Sequence, residues 1–268
     1  MKRSASIRRG FTIIEVMLFL GITGAMIAGM LIGVGSSIGA QRYRDAVESL
    51  KSEIQQQYSD VVNVMNTRTN TEQQQCSVSD GKLAVTPVDA GGATRGQSSR
   101  CMIVGTYLAV RGSEVKRYTI LGYAPRESII ASSDDISILK SGVYTFGIDP
   151  ESTESKSLEW GTQMKWAGDT NTGDPLGILV LRSPNSGNIY TFTSRKISAA
   201  DPDNASLTAM ITPSLTADES GRGRRLICVD PQGLVMTPTR GIILDAYAAD
   251  SNAVHVALPD DFKEGESC

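Results

Sequence analysis

One carboxylate stands inside the most apolar stretch of the chain. Residues 11–40 contain Glu15, no other charge and no proline. An acid at membrane depth costs at least about 2.5 kcal/mol on insertion scales, so it is retained where it has a partner and a task. No Lys or Arg on the same stretch can be that partner. The other chemistry-bearing residues are sparse. Cys76, Cys101, Cys228 and Cys268 form no C-x-x-C pair, and His255 is the only histidine, so zinc has no clustered ligand set. Four cysteines read as two disulfides in an oxidising compartment. Proximity favours Cys76–Cys101 and Cys228–Cys268 among the three possible pairings, each stabilising by roughly 3–4 kcal/mol in the chain-entropy model.

The marks of catalysis are missing from the residue pattern. No Gly-rich phosphate loop opens a helix, no G-x-S-x-G occurs, and the carboxylates lack the spacing of a glycosidase pair. His255, between Val254 and Val256, reads as a structural residue of a strand. The expectation is a protein that is not an enzyme. Asp169, Asn171 and Asp174, with Gly173 among them, set oxygen ligands around a turn as calcium loops do. This segment departs from the EF-hand pattern and lacks a matched distal Glu, and a plain turn is the favoured reading of it. Calcium is the one cofactor left open. Asn204-Ala205-Ser206 matches a glycosylation sequon and is read as chance.

The formal net charge is −3, and Lys2, Arg3, Arg8 and Arg9 lie in the first ten residues. Without those four positives the product stands near −7, which disfavours nucleic-acid binding by bulk charge. Arg222, Arg224 and Arg225 are the nearest thing to a basic patch, and a solvated turn accounts for them.

These features belong to a particular N-terminal layout. A basic leader, MKRSASIRRG, precedes a run long enough to span a bilayer as a helix and holds the N-terminus in the cytoplasm. Arg9-Gly10-Phe11-Thr12-Ile13-Ile14-Glu15-Val16 resembles the prepilin signal of type IV pilins and of type II secretion pseudopilins. The resemblance implies cleavage between Gly10 and Phe11 by a prepilin peptidase, N-methylation of Phe11, and an inner-membrane assembly platform as partner. It makes Glu15 the fifth mature residue. The freed amine of Phe11 is then a cation near the depth of Glu15, and pairing between Glu15 of one copy and Phe11 of the next would neutralise both and set axial register. Two rival export schemes use other residues. Ser6-Ile7-Arg8-Arg9-Gly10-Phe11 is superficially like a twin-arginine signal, and Ser37-Ile38-Gly39 before Ala40 is like a signal-peptidase site. The apolar run is long for a cleaved signal core, and an acid near its start is foreign to one. An uncleaved single-pass anchor is the third alternative.

The elements follow from periodicity. Gly21, Ala25, Gly29 and Gly33, with Ser37, recur every four residues and set small side chains on one helix face, as in closely packed membrane helices. Tyr43, Val47, Leu50, Ile54, Tyr58, Val61 and Met65 continue at steps of three or four, with polar residues between. One helix of about 80 Å is therefore expected over 11–67, membrane-spanning to residue 40 and amphipathic beyond. From residue 68 to 268 the pattern turns to strands and turns, with hairpins at Arg111–Glu114, Pro184–Gly187 and Asp230–Gly233. The strand-like runs include Lys82–Val88, Cys101–Val110, Val115–Tyr123, Val143–Ile148, Leu158–Trp166, Leu207–Ile211 and Gly241–Ala248, while Asn70–Gly81 reads as a polar connection. The expected fold is α+β and pilin-like: a leader (1–10), a long N-terminal helix, and a mainly antiparallel, extracytoplasmic β domain. The expected function is that of a structural pilin subunit, major or minor, assembled with copies of itself or other pilins, membrane-bound at first and on the cell surface afterwards. A secretion pseudopilin or DNA-uptake minor pilin is the near alternative. An anchored binding protein or adhesin that never polymerises is the distant one.

Overall fold

Residues Ile13–Asn63 form one unbroken helix, α1, of 51 residues, about 76 Å long. The structure is a computed structural model that describes residues 12–64, 73–88, 101–123, 134–140, 144–168, 175–194, 202–211, 223–233 and 239–268. Thr12 caps α1, and Val64 ends it in a left-handed conformation (φ 52°) whose N–H donates to the carbonyls of Asp60 and Val61. Glycine usually takes that place, and a β-branched residue there is an outlier. The helix thus closes at Asn63, short of residue 67; Met65 and its neighbours to residue 72 lie outside the described part.

The second half of α1 belongs to the core. Tyr43, Val47, Leu50, Ile54, Tyr58 and Val61 are all buried, and burying side chains of this size contributes about 1.5–3 kcal/mol each. Two sheets receive them. The larger has the order β5-β4-β3-β8-β9, built from β3 (Cys101–Arg111), β4 (Glu114–Tyr123), β5 (Thr145–Ile148), β8 (Leu176–Arg182) and β9 (Ile189–Ser194). β6 (Glu154–Ser157) pairs with the other end of β4. The smaller sheet runs β12-β11-β10-β7, from β7 (Gln163–Trp166), β10 (Arg225–Asp230), β11 (Arg240–Leu244) and β12 (Val254–Ala257). Every pairing is antiparallel.

Alternation on the large sheet sorts two cores. Leu108, Val110, Ile178 and Val180 face α1; Tyr107, Leu179 and Leu181 face away and are covered by α2 (Asp135–Lys140) and α3 (Asn204–Met210). A strand covered on both faces has no polar side, so Leu176–Leu181 is a continuous apolar run. The outer face of the small sheet is covered by the C-terminal tail: Phe262 and Cys268 pack on Leu226, Cys228, Ile243 and Ala257. Polar latches fasten α1. Asp60 pairs with Arg117 of β4 at 2.8 Å, and Arg117 reaches Glu154 of β6 at 2.5 Å.

Several expectations need correction. Leu207–Ile211 is the end of α3 rather than a strand. The Asp203 side chain caps this helix, accepting from the Ser206 N–H at 2.8 Å, and Leu207, Met210 and Ile211 reach the core at helical spacing. Gln73–Ser79 is not a polar connection but β1, paired with β2 (Lys82–Val88) through Asp80-Gly81. Both turn residues have positive φ (53° and 73°), the Asp-Gly hairpin signal. Leu158–Trp166 is interrupted by a 3₁₀ turn at Glu159–Gly161, and the all-exposed β6 before it has no apolar alternation to reveal it. β5 begins at Thr145 and β11 stops at Leu244, each shorter than the apolar pattern around it. Residues 89–100, 212–222 and 234–238 lie outside the described part.

Candidate functional site

Among the described residues, nothing packs against the first half of α1. Large apolar side chains from Ile13 (77% exposed) to Ile38 (43%) face outward, and α1 is the one helix among the described residues long and apolar enough to cross a membrane. Ile13 to Ile38 spans about 39 Å, more than the roughly 30 Å of a hydrocarbon core. One of its hydroxyls is satisfied within the helix. Thr23 Oγ1 donates to the carbonyls of Phe19 at 2.8 Å and Leu20 at 3.2 Å, so its hydroxyl needs no water. A Cβ built at Gly21, Gly29 or Gly33 would meet no atom within 4 Å, so the small-residue face, with exposed Ala25, is open to an incoming helix.

Glu15 stands three residues after the cap, and its N–H donates to Thr12 Oγ1 at 3.3 Å. Thr-x-x-Glu is the capping-box spacing. An acid in the first turn also meets the positive end of the helix dipole. The dipole eases the carboxylate's presence in an apolar helix. Thr12 is a capping residue that charge alone does not reveal, although the Thr-x-x-Glu spacing of residues 12–15 carries its signal. Among the described residues Glu15 has no ion-pair partner. Gly10 and Phe11, the residues of the expected cleavage, methylation and pairing, lie outside the described part.

The other candidates are dispersed. Cys228 and Cys268 are bonded, with Cα atoms 5.3 Å apart, on the outer face of the small sheet. Cys76 is buried and disulfide-bonded; the side chain of Cys101, its expected partner, lies outside the described part, as do Asp169, Asn171 and Asp174. His255, on the edge strand β12, has Nδ1 3.8 Å from Asp245 Oδ2 and is half exposed. Among the described residues no three of His, Cys, Asp and Glu gather as a metal site. Arg224 is no patch residue: it holds Glu266 with Nη1 2.6 and 2.7 Å from the two carboxylate oxygens. Asn204 accepts from the Phe146 N–H at 2.7 Å, which gives the sequon asparagine a structural role. No family model, curated protein or solved structure matches this chain.

Proposed function

We propose that this chain is a type IV pilin-like subunit, anchored by α1 with its N-terminus in the cytoplasm and its β domain outside, and polymerised through the first half of that helix. The observation that carries the reading is the division of α1 into two halves: an outer half that buries one face in the domain and an inner half that, among the described residues, packs on nothing. A monomer has no use for an open small-residue stripe along a lone helix, whereas a bundle of parallel copies buries it. Glu15, without a cation among the described residues, then takes the Phe11 amine of a neighbouring copy, which exists only after cleavage behind Gly10. The Cys228–Cys268 disulfide supports an oxidising location for the domain. The chemical events are done to the protein, by a prepilin peptidase, and its task is mechanical.

Mass spectrometry of the N-terminus of protein purified from its native membrane tests this reading. A chain beginning at methylated Phe11 is the expected result. A functional chain beginning at Met1 or Ala40 overturns it.

A further inference from the structure

At the border between the free and buried halves of α1 a tryptophan is exposed. Trp160 is 49% exposed, whereas Trp166, the other tryptophan of the chain, is buried. Its backbone is left-handed (φ 58°, ψ 20°) and followed by Gly161 at φ 72°. A bulky residue in that region is uncommon and persists where the surroundings determine it. They do so here. Ser49 Oγ donates to Glu159 Oε1 at 3.1 Å, tying the turn to α1, and Thr162 Oγ1 donates back to the Glu159 carbonyl at 2.9 Å. The indole then lies over Arg42, whose Cζ is 4.6 Å from the ring centroid.

The direction of this arrangement matters. Arg42 precedes Ser49 by two helical turns, about 10 Å nearer the apolar half. Helical side chains lean toward the helix N-terminus, so the guanidinium and the ring above it sit about one turn from Ile38, where the exposed apolar run ends. The headgroup layer on one side of a bilayer is roughly 5–8 Å thick. Tryptophan concentrates in that layer, and a flanking arginine extends to its phosphates.

We infer that Trp160 and Arg42 form an interfacial anchor that seats the domain on the headgroup layer of the bilayer its own helix crosses. The indole enters between headgroups and the guanidinium meets lipid phosphate. The inference rests on α1 spanning the membrane. It adds that the unassembled domain leans on the lipid surface, at a tilt set by the tie between Ser49 and Glu159.

The test uses the full chain and its Trp160→Phe variant, reconstituted at high lipid excess into phosphatidylcholine–phosphatidylglycerol vesicles. The vesicles carry a nitroxide either just below the headgroup or near the bilayer centre. Wild-type fluorescence is expected to be quenched several-fold more by the shallow label, and Trp160→Phe is expected to lose that quenching because Trp166 is buried. Indole emission that ignores both labels and yields to aqueous iodide overturns the anchor, as does shielding that appears only as protein density rises, since a second copy then covers the ring. Flotation separates the two readings. A chain that fails to float with the vesicles removes the membrane span and the anchor together. A chain that floats with Trp160 unquenched removes the anchor alone.

Discussion

Tyr43 of α1 and Arg240 of β11 meet at the loop end of the β10–β11 hairpin. The Tyr43 hydroxyl accepts the Arg240 N–H at 2.6 Å and donates to the Val229 carbonyl at 2.7 Å. Val229 and Arg240 are the last pair in the register of these strands. The helix thus supplies the final rung of the small sheet through one buried phenol. Tyr43→Phe leaves two partly buried backbone groups without their partner, at about 1–3 kcal/mol each in the worst case. A drop of about 2 kcal/mol is expected in denaturant unfolding of the detergent-solubilised chain. An unchanged midpoint would show that water replaces the phenol.

Glu15→Leu separates insertion from assembly. Removing the carboxylate eases membrane insertion by about 2.5 kcal/mol or more, so the variant is expected in the membrane at normal or higher abundance. Filaments are expected to be absent by electron microscopy. Normal filaments from Glu15→Leu would end the pairing hypothesis.

Tyr58 sets an alkaline limit. Burial raises its phenol to about 12, against an opposing hydrogen bond with Thr191 at 3.0 Å. A folded value above the ordinary 10.0 means that the stabilisation is whole below pH 10 and is lost as pH rises through about 12. A shift of this size corresponds to about 2–3 kcal/mol. Unfolding free energies of wild type and Tyr58→Phe, compared across that window, are expected to converge as pH rises. Parallel curves would deny the coupling.

The C-terminal tail has two fastenings. Cys228–Cys268 closes a separation of 40 residues, worth about 4 kcal/mol in the chain-entropy model. Beside it, partial burial works against ionisation of Glu266. The Arg224 hydrogen bonds and charge, with the Lys263 N–H, outweigh it and hold the carboxyl below its ordinary 4.5. This stabilisation is present above pH 4.5 and lost as pH falls through the folded value. Cys268→Ser is expected to lower stability by roughly 2–4 kcal/mol. Glu266→Gln is expected to flatten the acid limb while costing about 1–2 kcal/mol at neutral pH. An acid limb identical to wild type would show that Glu266 contributes nothing to it.

Gly105 of β3 leaves no room for a side chain against β8. A Cβ there would stand 2.1 Å from the Val180 carbonyl oxygen, next to the register shift between Ile103 and Gly105. The obstacle is backbone in the centre of the sheet, so it cannot swing aside. Gly105→Ala is expected to cost about 3 kcal/mol or more and to lower the yield of folded protein. A thermal midpoint within a degree or two of wild type would refute the close approach.

Read alone, the residues dictate what local spacing encodes. The steps of Tyr43, Val47, Leu50, Ile54, Tyr58 and Val61 specify a helix and the face it buries, because 3.6-residue periodicity is a property of one segment. The free half of α1, its glycine stripe and the isolation of Glu15 are likewise legible as residue types in order. So were the Arg111–Glu114 hairpin and the Cys228–Cys268 pairing. Tertiary structure decided the rest. Leu207–Ile211 is helical because Asp203 caps it and a sheet face lies beneath it, and β6 exists because β4 offers an edge to four polar residues. Tyr43 finds Arg240 across a separation of 197 residues, and Trp160 finds Arg42 only through the fold. Periodicity sorts side chains by face, but which polar group meets which depends on chain distant in sequence, and no local spacing carries that choice.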